Sequence, residues 1–182
     1  MMKQIPVINK LLLMIFMLCP LTNYAQKNTI KIDIPMKKGK INYEADYTAN
    51  KGLIKAELYN RATKWFLKTF PGQQKGSTFN KETGMVSGTG IFKVITSASG
   101  NYYWLRFNVD ITVSDTGYTF RAYNYYEKPI ETGITNDYSK IEYRWWDYRR
   151  GHPWSVEDTR LFIGLNTSSL QLLASFKADL GK

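Results

Sequence analysis

YYWLRFNVDITVS, residues 102–114, is the most regular stretch of this 182-residue sequence. Its apolar side chains occupy every second position, and polar side chains, together with Tyr102 and Trp104, occupy the positions between them. This alternation is typical of an antiparallel strand with one face in the core and one toward solvent, and it excludes a helix. The apolar positions are Tyr103, Leu105, Phe107, Val109, Ile111 and Val113.

A second strand follows the turn signal at residues 115–117 (DTG). A tight turn that pairs Val113 with Phe120 and Ile111 with Ala122 places the apolar positions of both strands on one face. This register predicts an outer face, away from the core, that carries Trp104, Arg106, Arg121, Tyr123 and Tyr125.

Two more strands are predicted upstream, between residues 76 and 100, because residues 83–84 (TG) and 99–101 (SGN) are turn signals. Gly88 and Gly90 fall on the apolar face of the second of these strands. Glycines at such positions indicate a curved sheet or the close approach of a helix. Residues 41–48 alternate as well and predict the first strand of the domain.

Two segments have a helical period instead. Between Lys55 and Phe70 the apolar residues recur at helical spacing, and Pro71 and Gly72 end the pattern. The closing helix is predicted to begin after Ser155, with acidic residues in its first turn, and to end at Gly181. Gly164 predicts a kink or break in its first half.

The order of elements is therefore strand, helix, four strands, helix. Sequential hairpins of this kind predict an α+β domain with one curved antiparallel sheet whose apolar face is covered by two helices. A single domain over residues 41–182 is expected, with an aromatic-rich insert at 128–154 that contains a short helix near 138–148.

The first 25 residues have the order of an export signal. Lys3 and Lys10 precede the apolar run 11–18, and the small residue Ala25 follows. We therefore expect cleavage after Ala25 and export to the periplasm or beyond. Lipid anchoring at Cys19 is the alternative, but Met17 and Leu18 stand where a lipoprotein signal usually has small residues. Residues 26–40 then form a flexible, lysine-rich arm with at most one edge strand.

The chain is basic, with 25 Lys and Arg against 15 Asp and Glu. Such an excess can serve a nucleic acid, an anionic membrane or glycan surface, or solubility alone. Export disfavours nucleic acid as the partner.

Three segments together resemble a known family. They are KAELYNRATKWF at 55–66, VSGTG at 86–90, and the hairpin formed by 106–111 and 118–121. They are similar to an uncharacterised domain of unknown function with a TATA-binding-protein-like (TBP-like) fold, common in secreted proteins of Bacteroidetes, over roughly residues 41–180. The resemblance implies a TBP-like α+β fold and an exported protein. It implies no activity, ligand or catalytic residue, and a shared architecture does not carry DNA binding with it.

Residues for common chemistries are scarce. The sole cysteine lies in the predicted signal, and His152 is the single histidine of the chain, so neither a nucleophilic triad nor a zinc site is expected. No cofactor is predicted, and we expect a non-enzymatic binding or structural component of the cell envelope. The alternative is a glycan or peptide hydrolase without a recognisable motif, which would use carboxylates such as Asp110 and Glu127 on or near the polar sheet face.

Aromatic and arginine side chains give the candidate binding surface. They could stack on sugars, receive a peptide or lie at a membrane interface, so an envelope glycan, an anionic lipid surface and another envelope protein all remain open as partners. The competing interpretation is that the insert folds over the sheet and buries its own rings. The candidate residues are Trp104, Arg106, Arg121, Tyr123, Arg144, Trp145, Trp146, Arg149 and Trp154.

Overall fold

The computed structural model describes residues 32–130, 137–147 and 155–181. The predicted signal peptide at 1–25, Arg149 and Trp154 lie outside these ranges. Ten elements occur along the described chain, and they are numbered here in chain order. They are β1 (Met36–Lys37), β2 (Lys40–Thr48), α1 (Lys55–Thr69), β3 (Thr78–Asn80), β4 (Met85–Ile95), β5 (Tyr102–Val113), β6 (Gly117–Ile130), β7 (Ser139–Lys140), α2 (Ile141–Asp147) and α3 (Val156–Leu180).

The strands form one curved sheet in which every neighbouring pair is antiparallel. Their order is β1-β2-β6-β5-β4-β3, and β7 pairs with the far end of β6. The long helices α1 and α3 cover one face. Trp65 of α1 and Phe176 of α3 both pack against Phe120 of β6, with ring centroids 5.7 and 5.1 Å apart. The predicted α+β class and the two helices on one face are confirmed.

The alternation in β5 separates core from surface as predicted. All its apolar positions are buried, and Phe107 at the centre of the face has no exposed surface. The Phe107 ring stacks on Tyr125 at 4.9 Å and contacts Phe70 and Phe92. Such burial of large side chains is the main source of stability in a domain of this size.

The hairpin between β5 and β6 is tighter than the sequence pattern suggested. Val113 pairs with Tyr118 and Ile111 with Phe120, so the predicted partners, two residues further along, were wrong. The backbone N–H of Ser114 donates to the carbonyl of Gly117 at 2.8 Å, which leaves a loop of two residues. A shift by two residues preserves the face of each side chain, so the division into core and outer positions was still correct as far as Tyr123.

A β-bulge in β6 reverses that division after Tyr123. The register against β5 shifts between Arg106 and Asn108, and Asn124 has a positive φ of 53°. The extra residue turns Tyr125 and Glu127 toward the helices, where both are buried. The prediction that Tyr125 lies on the outer face was therefore wrong, as was the placement of Glu127 on or near the polar face.

Both long helices begin and end close to the predicted residues. Ser155 and Asp158 form a capping box at the start of α3, since the Ser155 hydroxyl accepts from the Asp158 N–H and the Asp158 carboxylate accepts from the Ser155 N–H. The helix runs without a break through Gly164, contrary to the prediction. A Cβ at Gly164 would collide with the Val94 side chain, so the glycine serves the close approach of α3 to β4.

The glycines of β4 have the role that the sequence predicted. A Cβ added at Gly88 would lie 2.6 Å from the Phe66 ring, and one at Gly90 would lie 2.5 Å from the Phe107 ring. Real Cβ atoms do not come this close to ring carbons. The absence of side chains at both positions therefore lets α1 and the core rings pack directly on the strand.

The described part of the predicted arm, residues 32–40, is packed against the domain. Ile34 is buried, and Met36–Lys37 pairs with the start of β2. This edge strand ends at Lys37, because Lys38 and Gly39 turn the chain directly into β2. None of the described helices combines the length and apolarity needed to cross a membrane.

Candidate functional site

The outer face of the sheet is not covered by any of the described helices. The described helices contact the opposite face, so the outward side chains of the central strands β4, β5 and β6 have no helix above them. Those of β5 are half-buried from Tyr102 to Asp110, in contrast to the fully covered inner positions between them. This exposure makes the outer face available to a ligand.

Cations and aromatic rings alternate at one end of this face, in a group that we name the cation–aromatic cluster. Lys93 Nζ lies 3.8 Å from the centre of the Tyr102 ring, which meets Trp104 edge-on at 5.9 Å. Arg106 Cζ lies 4.1 Å from the centre of the Tyr138 ring and 5.3 Å from that of Tyr126. The cluster comprises Lys93, Tyr102, Trp104, Arg106, Tyr126, Lys128 and Tyr138.

Strand pairing explains how these side chains meet. Trp104 pairs with Lys128 and Arg106 with Tyr126, so each cation has an aromatic residue across the ladder. The short pairing of β7 with β6 brings Tyr138 over Arg106 and within 5.6 Å of Lys128 Nζ. Attraction between a cation and a ring face stabilises such contacts by about 0.5–1 kcal/mol at exposed sites.

Arg121 and Tyr123 lie on the same face, nearer β2, and are held by neighbours. Arg121 Nε donates to Asn42 Oδ1 at 2.8 Å, and its guanidinium lies 4.1 Å from the Tyr123 ring centre. Burial, together with a hydrogen bond to Asp110, raises the pKa of the Tyr123 phenol. These two predicted residues therefore belong to the outer face, as the sequence placed them. Both form hydrogen bonds to neighbouring polar side chains.

Arg144 forms ion pairs inside the domain and does not belong to the outer face. Its Nε donates to both carboxylate oxygens of Glu127, at 2.9 and 2.7 Å, and its Nη1 donates to Asp158 Oδ1 at 2.8 Å. Burial raises the pKa of Glu127 even though the guanidinium acts to lower it. Arg144 thus joins α2 to β6 and α3, and its prediction as a surface binding residue was wrong.

Trp145 is also a core residue. Only 5% of it is exposed, and its ring meets Phe162 of α3 edge-on at 4.9 Å. One turn of α2 directs it inward with Ile141. Trp146, next in sequence, is 46% exposed and its indole N–H donates to the carbonyl of Gly39 at 3.3 Å. Trp146 therefore lies by the turn between β1 and β2, apart from the cation–aromatic cluster.

Several residues of the cluster were missing from the sequence-based surface. Tyr126, Lys128 and Tyr138 could not be assigned from alternation, because the bulge at Asn124 changes the phase and β7 is only two residues long. Lys93 and Tyr102 carried a signal that could have found them, since both occupy outward positions of strands that the sequence did predict.

The described carboxylates do not form a metal site, and the one with a raised pKa lies on the helix side of the sheet. Among the described residues, no group of three His, Cys, Asp or Glu side chains is arranged to hold a metal ion. Glu127, whose pKa is raised, is sealed beneath α2 by Arg144, so it cannot reach a substrate on the outer face.

Comparison with known proteins agrees with this fold. Residues 43–128, from β2 to β6, match the family model described as a domain of unknown function (DUF4468) with TBP-like fold. The chain resembles the DUF4468 family. The resemblance found in the sequence is thereby confirmed, and the DUF4468 match covers the sheet strands that carry most of the cation–aromatic cluster.

Two solved structures share the architecture. A DUF4468 family protein from Bacteroides ovatus superposes with a TM-score of 0.64 at 13% identity, over 82% of this chain and 91% of that chain. A TBP-like protein from Parabacteroides distasonis gives 0.60 at 16% identity, over 79% and 97%. No curated protein matches the chain. These DUF4468 and TBP-like neighbours establish the fold and leave the biochemical function open.

Proposed function

We propose that this protein is a non-enzymatic binding module of the cell envelope that holds an anionic glycan on the outer face of its sheet. The observation that carries the proposal is the cation–aromatic cluster, in which three cations and four aromatic rings share one end of the outer face, above which no described helix lies. The export signal expected at residues 1–25 supports the envelope as the compartment.

The chemistry of the cluster fits acidic sugars. Aromatic faces bind the C–H faces of sugar rings, while Arg and Lys pair with carboxylate or sulfate groups. The cations already lie against tyrosine rings, so the surface is ordered before a ligand arrives, and preorganisation reduces the entropy cost of binding. After the expected cleavage, which removes Lys3 and Lys10 and no acidic residue, the chain keeps 23 basic against 15 acidic residues, and this excess attracts an anionic polymer from a distance.

A binding role accounts for the carboxylates better than hydrolysis does. A glycosidase needs two carboxyl groups that face each other across a substrate site. In the described residues, the carboxyl with a raised pKa, Glu127, is buried in an ion pair with Arg144 on the helix side. It therefore contributes to packing and has no route to a sugar on the outer face.

The test is binding of the purified protein to polygalacturonate, with dextran as the neutral polymer, by isothermal titration calorimetry. A Trp104→Ala/Arg106→Gln variant is expected to bind polygalacturonate at least about tenfold more weakly, because it loses one stacking ring and the charge between Tyr126 and Tyr138. Trp146→Ala is the matched control, since it removes a more exposed tryptophan outside the cluster. Circular dichroism establishes that both variants are folded.

The dependence of affinity on salt concentration separates the contribution of ion pairing from that of stacking. Affinity for polygalacturonate should fall between about 0.05 and 0.5 M NaCl, because screening weakens ion pairs at the surface and leaves stacking largely unchanged. Equal binding to dextran would contradict the anionic ligand. Unchanged binding in the double variant, or binding to phosphatidylglycerol vesicles alone, would place the function elsewhere.

A further inference from the structure

The edge of the sheet at β4 is a second surface, which offers backbone groups and an apolar groove and shares Lys93 with the cation–aromatic cluster. β3 pairs with β4 at Met85–Ser87. Beyond Ser87, no strand of the described residues pairs with Gly88–Ile95 on the side away from β5. Eight consecutive residues of β4 thus form an open sheet edge.

The hydrogen-bond pattern shows which backbone groups this edge presents. The Val113 N–H donates to the Gly84 carbonyl at 2.9 Å, and the Thr96 N–H donates to the Asn101 carbonyl at 2.9 Å. Both bonds belong to one uninterrupted register between β4 and β5. In an antiparallel ladder, alternate residues point their N–H and C=O groups at the same neighbour. The even-numbered residues of β4 therefore face β5, and Thr89, Ile91, Lys93 and Ile95 direct theirs outward.

A groove of about 420 Å³ runs between this edge and α3. Its apolar lining includes Val94, Ile95 and Ile163, and the latter two are 63% and 37% exposed. Gly164 also lines the groove, and its lack of a side chain brings α3 close to Val94. An extended chain that paired with β4 could direct every second side chain into this groove.

The charges around the groove favour an acidic occupant. Lys93 and Arg160 are its charged lining residues, and both are cationic. Arg160 is held in place by donation from Nη1 to the carbonyl of Thr96 at 2.9 Å, at the end of the strand. A second copy of this chain would bring the same cations together along the shared edge, and such like-charge contacts oppose self-pairing.

We propose that the β4 edge is a docking site for an extended acidic peptide, which adds to the sheet as a further strand beside Thr89–Ile95. Main-chain hydrogen bonds give such strand addition its affinity, and alternate side chains give its specificity. Residues of the peptide opposite Phe92 and Val94 are apolar and enter the groove. Residues opposite Lys93 are acidic, and a further carboxylate reaches Arg160.

The experiment measures binding of a fluorescein-labelled synthetic peptide of alternating valine and glutamate by fluorescence anisotropy. Two variants separate backbone pairing from charge. Lys93→Thr removes the ammonium group and keeps the outward N–H, whereas Lys93→Pro removes both. We expect Lys93→Thr to weaken binding about threefold and Lys93→Pro about tenfold more than that, because proline deletes a main-chain donor.

A second measurement needs no change in the protein. In the same peptide, N-methyl groups replace the hydrogen atoms of alternate amides, on the side of the peptide that faces β4, so these amides cannot donate to the β4 carbonyls. This peptide should bind at least about tenfold more weakly to the unaltered protein. A peptide of alternating valine and lysine is the charge control and should not bind measurably.

Three results would overturn the proposal. Equal affinities of the proline and threonine variants would show that β4 does not pair with the peptide. Full binding of the N-methylated or the lysine peptide would point to adsorption by another surface. Concentration-dependent dimerisation that Lys93→Pro abolishes and the acidic peptide does not compete with would assign the edge to a second copy of the chain.

Discussion

At the scale of single residues, Phe107 lies at the centre of the buried face of β5 and packs among several aromatic rings. It is fully buried on the inner face of β5 and meets the rings of Phe70, Phe92 and Tyr125. Asn108, the next residue, is on the outer face and half-buried. The same strand therefore offers two adjacent positions with very different packing.

Phe107→Ala is expected to lower the free energy of unfolding by about 3–5 kcal/mol, since it leaves a cavity between rings that cannot all move to fill it. Asn108→Ala should cost much less, because its side chain has solvent on one side. Urea denaturation followed by tryptophan fluorescence measures both. Similar losses at the two positions would mean that the faces of β5 are assigned wrongly.

Trp145 shows why the site was only partly predictable from sequence at this scale. Tryptophan and arginine in a Gly- and Pro-bounded insert look like a binding surface, yet Trp145 and Arg144 are covered by Phe162 and Asp158, residues more than ten positions away. Local pattern does not contain such distant contacts. Trp104 and Arg106 were placed correctly because strict alternation in β5 determines their face.

At the scale of elements, α2 is fixed by charge as much as by apolar packing. Arg144 connects it to Glu127 on β6 and Asp158 on α3, and Glu142 accepts from the Ile41 N–H of β2 at 3.1 Å. Asp158 also closes the capping box of α3. One carboxylate therefore supports the start of a 25-residue helix and the position of a 7-residue one.

Asp158 should link stability to pH. Burial acts to raise the pKa of its carboxyl, but hydrogen bonds from Ser155 and the ion pair with Arg144 outweigh burial and lower the pKa. The lowered pKa means that Asp158 stabilises the fold above the unfolded value of about 3.9, and that this contribution is lost as pH falls through the folded value. Glu127 has the opposite sign, because its raised pKa favours the folded state at low pH.

Asp158→Asn is expected to cost about 2 kcal/mol or more at pH 7 and to flatten the loss of stability between about pH 5 and pH 2. Urea denaturation across that range, with Asp46→Asn as an exposed control, gives the comparison. A variant that loses stability with acid as steeply as the unaltered protein would show that another carboxylate governs the acid response.

Elements were predictable in proportion to their length. α1, α3, β4, β5 and β6 follow from the periodicity of their own residues. The seven-residue α2 lies within the short helix expected near 138–148, and β1 is the edge strand expected in the arm. The two-residue β7 was not predicted, because so short a segment shows no period and forms by pairing with β6. Gly164 misled for the related reason that its role is a contact with Val94 and not a break in the helix.

At the scale of the whole molecule, the sheet packs against helices on one face, and the two proposed binding sites lie on its other face and at one edge. Its inner face is covered by helices, its outer face carries the cation–aromatic cluster, and its β4 edge presents unpaired backbone. A glycan on the face and a peptide at the edge would use largely different atoms and would share the ammonium group of Lys93. The protein could therefore connect two envelope components without a second domain.

Such a role depends on export, and the N-terminus makes export testable. Protein recovered from the periplasm or medium of the host should have an intact mass that begins at Gln26, since the n-region, apolar run and Ala25 define one cleavage point. Mass spectrometry of the recovered protein decides this. A mature species that starts at Cys19 and carries acyl chains would show a lipid anchor in its place.

The bulge at Asn124 also changes how variation along β6 should be interpreted. Before it, the even-numbered residues 118, 120 and 122 are the buried ones; after it, the odd-numbered 125 and 127 are. Tolerance to mutation therefore switches parity in the middle of one strand. Deletion of Asn124 would remove the extra residue and leave a regular ladder in which Tyr125 opposes Phe107, so the residues from Tyr125 onward would keep their faces. A one-residue deletion at this position is thus expected to be tolerated better than one elsewhere in β6, where it would exchange the faces of the residues that follow.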